Sequence, residues 1–92
     1  MITVRFVGPL RLIVGKFEVS YKIDAPMNLH GLVEYLINQH GIQFKNEILQ
    51  TNNGKSFYEF MVNGQSIDNL QWEEFFINDD DSILITYPVS GG

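Results

Sequence analysis

Cysteine is absent from this 92-residue chain. That excludes a disulfide framework, a thiolate zinc site and a cysteine nucleophile, and it suits a reducing compartment, so a cytoplasmic location is expected. Positive charge is scarce as well: six Lys and Arg stand against eleven Asp and Glu, for a formal net charge of −5. Arg5, Arg11, Lys16, Lys22, Lys45 and Lys55 are scattered singly. A nucleic-acid footprint needs clustered positive charge, so nucleic acid is not an expected partner, whereas a basic protein surface is. No apolar run approaches the roughly 18 residues of a membrane span. The opening "MITVRFVG" reads as a strand and not as a basic-then-apolar leader, so no membrane partner and no signal peptide are expected. Internal repeats, linkers and low-complexity segments are missing too.

The chemistry-bearing residue types are equally sparse. No Ser/His/Asp set or carboxylate pair stands at a convincing spacing, so the isolated chain is not expected to be a catalyst. His30 and His40 lie ten apart on one helical pattern, about 15 Å by helical rise, and cannot share a metal. They read as surface histidines, and no metal site is expected. Trp72, Phe75 and Phe76 read as core and rim packing.

What is present is pattern. A hydrophobic fraction of 45% over this length describes one small globular domain. Ile2, Val4 and Phe6 alternate with Thr3, Arg5 and Val7, predicting a strand. "GPLRLIVGK" reads as a connection punctuated by Gly8-Pro9 and Gly15. "KFEVSYKID" alternates again, with Phe17, Val19, Tyr21 and Ile23 inward, predicting a hairpin with the first strand. Leu29, Leu32, Val33, Leu36 and Ile37 then follow the helical period, with Asn28 as N-cap and Gly41 as a left-handed terminator. Gly31 in the first turn costs that helix about 1 kcal/mol relative to alanine. "IQFKNEILQTNNGKS" reads as a polar connection anchored by Phe44, Ile48 and Leu49 and ending in the Asn53-Gly54 turn. "FYEFMV" predicts a strand with Tyr58, Phe60 and Val62 on one side and Met61 on the other, followed by an Asn63-Gly64 turn and a short "QSI". "NLQWEEFFIN" predicts a helical turn carrying Leu70 and Phe75 into the core, and "DDDSILITY" the last strand.

The order β-β-α-β-β-β describes an α+β domain, a mixed sheet with one main helix on one face. Parallel pairing of the first and last strands at its centre gives a ubiquitin-like β-grasp. The strand face opposite the helix would carry Val7, Met61, Leu84 and Thr86, an apolar patch fit for a partner. The acidic run Asp79–Asp81 reads first as a solvated turn, and with Glu73 and Glu74 as a source of steering toward a basic partner.

The chain closes on "YPVSGG". Pro88 has no N–H for the sheet and ends pairing, so residues 1–87 form the domain and 88–92 a flexible tail. Gly91 and Gly92 lack a Cβ, which lets a backbone thread a narrow channel. Extended, the five tail residues reach roughly 15 Å at about 3.3 Å each.

"ITVRFVG", "FMVNGQSID" and above all "LITYPVSGG" resemble the MoaD/ThiS-like sulfur-carrier family of ubiquitin-like proteins, and within it the small subunit of molybdopterin synthase. The resemblance implies a carrier, not an enzyme on its own. An adenylating enzyme would use ATP to activate the Gly92 carboxylate. A sulfur donor protein would convert it to a thiocarboxylate, and the synthase large subunit would use the sulfur for molybdenum cofactor biosynthesis. No cofactor is bound stably on this reading. Gly91 and Gly92 then form the reactive end, with Val7, Met61, Leu84, Thr86, Pro88, Val89 and Ser90 as partner contacts. Two positions depart from the family pattern: Tyr87 stands where a first proline is common, and Asp80 where glycine is usual in the turn before the last strand. Neither touches the glycines. A thiamine-pathway or tungsten-cofactor carrier, a protein modifier joined to lysines through Gly92, and a non-covalent β-grasp module remain as alternatives.

Overall fold

The computed structural model of the protein describes residues 1–23, 26–52 and 54–87. The expectations placed on Pro88, Val89, Ser90, Gly91 and Gly92 lie outside the described residues, as does the Asn53 half of the Asn53-Gly54 turn.

Strand β1 (Ile2–Phe6) leads into helix α1 (Gly8–Val14) and strand β2 (Glu18–Tyr21). A short strand β3 (Met27–Asn28) precedes helices α2 (Leu29–His40) and α3 (Ile42–Ile48). Strands β4 (Thr51–Asn52) and β5 (Lys55–Ser56) form a two-residue ladder. Then come β6 (Glu59–Val62), β7 (Gln65–Ile67), a 3₁₀ turn at Asn69–Gln71, β8 (Phe76–Ile77) and β9 (Ser82–Thr86). The main sheet runs β2-β1-β9-β6-β7, and β8 pairs with β3 apart from it. Among the described residues only β1 and β9 pair in parallel within that sheet, with Val4 opposite Ile83 and Phe6 opposite Ile85. That central parallel pair, flanked by the β1–β2 and β6–β7 hairpins, is the β-grasp arrangement.

Alternation sets the core. Ile2, Val4, Phe6, Tyr58, Phe60, Val62, Ile83 and Ile85 are buried on one side of the sheet, against Leu29, Leu32, Val33 and Leu36 of α2. Each such aliphatic side chain removed from water contributes about 1.5–3 kcal/mol. The start of α2 follows the expected chemistry: Asn28 Oδ1 accepts a 2.7 Å hydrogen bond from the Gly31 N–H. A Cβ on Gly31 would lie 3.1 Å from that same oxygen, so the glycine leaves room for the cap. At the other end Gly41 has φ +90° and ψ −165°. It lies in a glycine-only region but not the left-handed helical one expected, because the chain turns directly into α3.

Several sequence expectations are corrected. Residues 8–14 are helix and not loop: Leu10 is buried, Ile13 and Val14 pack on the core, and Pro9 sits in the first turn, where a missing N–H costs nothing. Residues 42–48 are helix as well, driven inward by Phe44 and Ile48, while Leu49 is exposed. Phe17 precedes β2 and is exposed, its ring lying 5.5 Å from the Arg11 guanidinium carbon. Leu70 is 82% exposed. The residue that turns in from that segment is Trp72, at 4.8 Å from the Phe60 ring, with Phe75 partly buried beside the core. Asp68 caps the 3₁₀ turn through Leu70 N–H and so aims Leu70 outward.

Candidate functional site: the open sheet face and the end of the last strand

The face of the sheet away from the helices is read off the register. One row crosses all five strands as Glu18, Arg5, Leu84, Met61 and Ser66. Arg5 Nε lies 2.9 Å from Glu18 Oε1, both side chains about half exposed. Thr86 lies two residues along β9 from Leu84 and opposes Glu59, whose carboxylate accepts a hydrogen bond from Ser66. The structure thus brings Met61, Leu84 and Thr86 together on one face. It does not add Val7 to that ladder, because Val7 has left β1 to become the N-cap of α1. The apolar area is narrower than expected: two half-buried side chains framed by an ion pair and a carboxylate–hydroxyl pair. An exposed ion pair of this kind adds at most about 1 kcal/mol to the fold.

The acidic run is built into the opposite end of the sheet. Asp79 pairs with the Met1 ammonium, which holds its carboxyl below the ordinary range. Asp81 accepts from Asn63 Nδ2 at 2.9 Å and from the Asn78 N–H at 2.8 Å. Asn63 and Gly64 both have positive φ, 51° and 84°, as a tight hairpin turn needs. Asp80 has φ +68°, so this aspartate adopts the left-handed backbone that glycine takes most readily. One strand length, about 16 Å, separates this turn from the end of β9.

At that end stands Tyr87, the last described residue. Its ring stacks on Phe57 at 5.8 Å and 17° and meets Tyr58 edge-on at 6.0 Å. Tyr58 is 2% exposed and donates its hydroxyl to Glu47 Oε2 of α3 at 2.7 Å. Burial, first, and then that carboxylate push the Tyr58 phenol well above its ordinary pKa. An open cleft of about 380 Å³ borders the same segment and is lined by Glu59, Ser66, Asp68 and Gln71 among others.

His40 is not the surface histidine expected. Its Nε2 lies 2.5 Å from the Tyr21 hydroxyl, and its ring packs against Phe6 and Phe44. Burial lowers its pKa and raises that of Tyr21 to about 12. His30 is exposed. Among the described residues no group of three or more His, Asp or Glu is placed to hold a metal, and no helix is long and apolar enough to cross a membrane.

Comparison with known proteins adds the family. A model of the ThiS family matches residues 4–92. No curated protein matches the chain. Among solved structures, a candidate molybdopterin converting factor subunit 1 from Pyrococcus furiosus is similar at TM-score 0.76 and 20% identity, over 96% of this chain and 97% of that one. The small archaeal modifier protein 1 of Methanosarcina acetivorans is similar at TM-score 0.70 and 25% identity, over 99% of this chain and 95% of that one. The BexX/CysO complex of Amycolatopsis orientalis contains a chain with TM-score 0.71 and 21% identity, each chain covered in full.

Proposed function

Because the chain belongs to the ThiS family of small ubiquitin-like sulfur carriers, we propose that it is the small subunit of a molybdopterin synthase, carrying sulfur on Gly92. The observation that supports this most is that the family match continues through Pro88-Val89-Ser90-Gly91-Gly92, directly after the central strand of the sheet. In the proposed sequence the Gly92 carboxylate attacks the α-phosphorus of ATP on an adenylating enzyme, and pyrophosphate leaves. The terminal sulfur of a donor persulfide then attacks the acyl carbon, and AMP leaves. A thiol cleaves the resulting acyl disulfide, leaving a terminal thiocarboxylate here and a disulfide on the donor. The synthase large subunit takes the sulfur from there.

This chain lends no acid, base or nucleophilic side chain to those steps. What it supplies is a carbonyl without neighbouring Cβ atoms, on an arm long enough to enter a recessed site, and a face for docking. On this reading Met61, Leu84 and Thr86 of that face meet the partner, with Val7, which lies outside the ladder as the N-cap of α1, as a separate contact, and Pro88, Val89 and Ser90 make the contacts along the arm. The reading places the protein in a reducing cytoplasm. A second reading, a modifier joined to lysines through Gly92, is favoured by the 25% identity to an archaeal modifier protein and shares the same activation step.

The test is deletion of Gly92. With the adenylating enzyme of the same cell, ATP and a persulfide donor, the wild-type chain is expected to drive pyrophosphate and AMP release, and the shortened chain none. Thermal unfolding of the two should agree closely, because the described core runs from Ile2 to Ile85. Failure of the wild-type chain to support AMP release overturns the proposal.

A further inference from the structure

The geometry points to Tyr87 as a positioning residue, a side-chain peg that sets the path on which residues 88–92 leave the domain; the inference rests on the carrier reading above. The seat of the peg is Gly8. That residue has φ +60°, and a Cβ on it would fall 2.5 Å from Tyr87 Cε1, 2.9 Å from the hydroxyl oxygen and 3.1 Å from Cζ. The tyrosine ring therefore lies directly on the Gly8 backbone, and no other residue type leaves it that space. Phe57 covers a second side of the ring and Tyr58 a third. Tyr58 is itself fixed, buried and tied to α3 through Glu47.

The arrangement accounts for a detail that hairpin geometry alone does not. β1 does not turn back tightly into β2 but opens at once into α1 through Gly8-Pro9. This leaves a bare backbone beside the C-terminal end of β9, the parallel neighbour of β1. Among the described residues the ring of Tyr87 lies nearest to it. A ring held on three sides fixes the direction of its own Cα, and Pro88, with φ restricted by its ring, is the next residue. Pre-set direction matters for a reacting group delivered into another protein's site, where a displacement of about 1 Å can cost up to about a hundredfold in rate. Where the family commonly stiffens this position with proline, this chain does so with a seated aromatic ring.

The test compares Tyr87→Phe, Tyr87→Ala and Gly8→Ala in initial-rate AMP release, using the adenylating enzyme of the same cell, ATP, a saturating persulfide donor and a range of carrier concentrations. Tyr87→Phe keeps the ring and is expected to keep the wild-type kcat. Tyr87→Ala empties the seat and Gly8→Ala expels the ring; both are expected to lower kcat by about ten- to a hundredfold. KM for the carrier should stay near wild type, since the open sheet face is untouched. A proton shift of Gly8 caused by the overlying ring, lost in Tyr87→Ala and kept in Tyr87→Phe, reports the seating independently of any enzyme. Should Gly8→Ala fail to fold, the two Tyr87 variants decide alone. Wild-type activity with undiminished kcat in Tyr87→Ala overturns the positioning role only, as does a change confined to KM. No AMP release from the wild-type chain overturns the carrier reading, and the positioning role with it.

Discussion

Removing the Tyr58 hydroxyl tests how α3 is held to the sheet. Tyr58→Phe deletes a 2.7 Å donor to the Glu47 carboxylate and leaves the buried ring in place. A hydrogen bond to a charged acceptor contributes about 1.5–3 kcal/mol. Glu47 is only half-buried and turns partly to water once its donor is gone, which places the expected loss near 1–2 kcal/mol. Changing the partner should cost at least as much. Glu47→Ala strands the phenol O–H without an acceptor at a residue that is 2% exposed, and an unsatisfied buried donor costs about 1–3 kcal/mol. Alanine is the better helix former, so helix propensity works against that loss and cannot explain it. The double variant should cost no more than the worse single one, with a coupling of about 1 kcal/mol. Urea unfolding followed by circular dichroism measures all three, and thermal unfolding should show Tyr58→Phe lower by roughly 4–15 °C for a domain of this size. Single losses that simply add, or a Tyr58→Phe variant as stable as wild type, would refute the contact.

Two further outcomes concern positions with unusual surroundings. Burial holds the His40 pKa below its ordinary 6.5, so the unfolded chain takes up its proton at higher pH than the folded one. Stability from this group is complete above pH 6.5 or so and is lost as pH falls through that value toward the folded pKa. The midpoint of thermal unfolding should therefore drop between about pH 7.5 and 5.5. His40→Gln should flatten that slope and His30→Gln should not; an unchanged slope in His40→Gln contradicts the burial. At Asp80, where φ is +68° and the side chain is exposed, Asp80→Ala should lose about 1 kcal/mol and Asp80→Gly should hold or gain stability. An alanine variant as stable as wild type would show that the turn relaxes.

The sheet was legible because each strand carries a strict alternation and ends at a turn residue with a mechanical reason, as at Asn63-Gly64. The long helix was legible from its leucine stripe and its Asn28 cap. The two seven-residue helices were not. Leu10, Ile13 and Val14 do follow helical spacing, but a segment that short is unstable alone and forms because the core receives it; Gly8-Pro9 meanwhile looks like loop punctuation. Phe44 and Ile48 stand four apart in the same way, inside a run otherwise polar enough to pass for a connection. His40 read as exposed because its aromatic neighbours, Phe6 and Tyr21, come from distant strands. Of the site, the composition of the tail and the face holding Met61, Leu84 and Thr86 could be read in advance. The seat of Tyr87 on Gly8 could not, since it joins residues 79 positions apart through a parallel pairing that no local pattern announces.

The central claim is that the reactive group of this protein is the carboxylate of Gly92, and intact-mass spectrometry tests it most directly. After incubation with the cell's adenylating enzyme, ATP, a persulfide donor and a thiol reductant, the chain is expected to gain the mass difference between one sulfur and one oxygen. Fragmentation should place that gain on Gly92. A chain that emerges with its mass unchanged, or with sulfur attached anywhere else, contradicts the account.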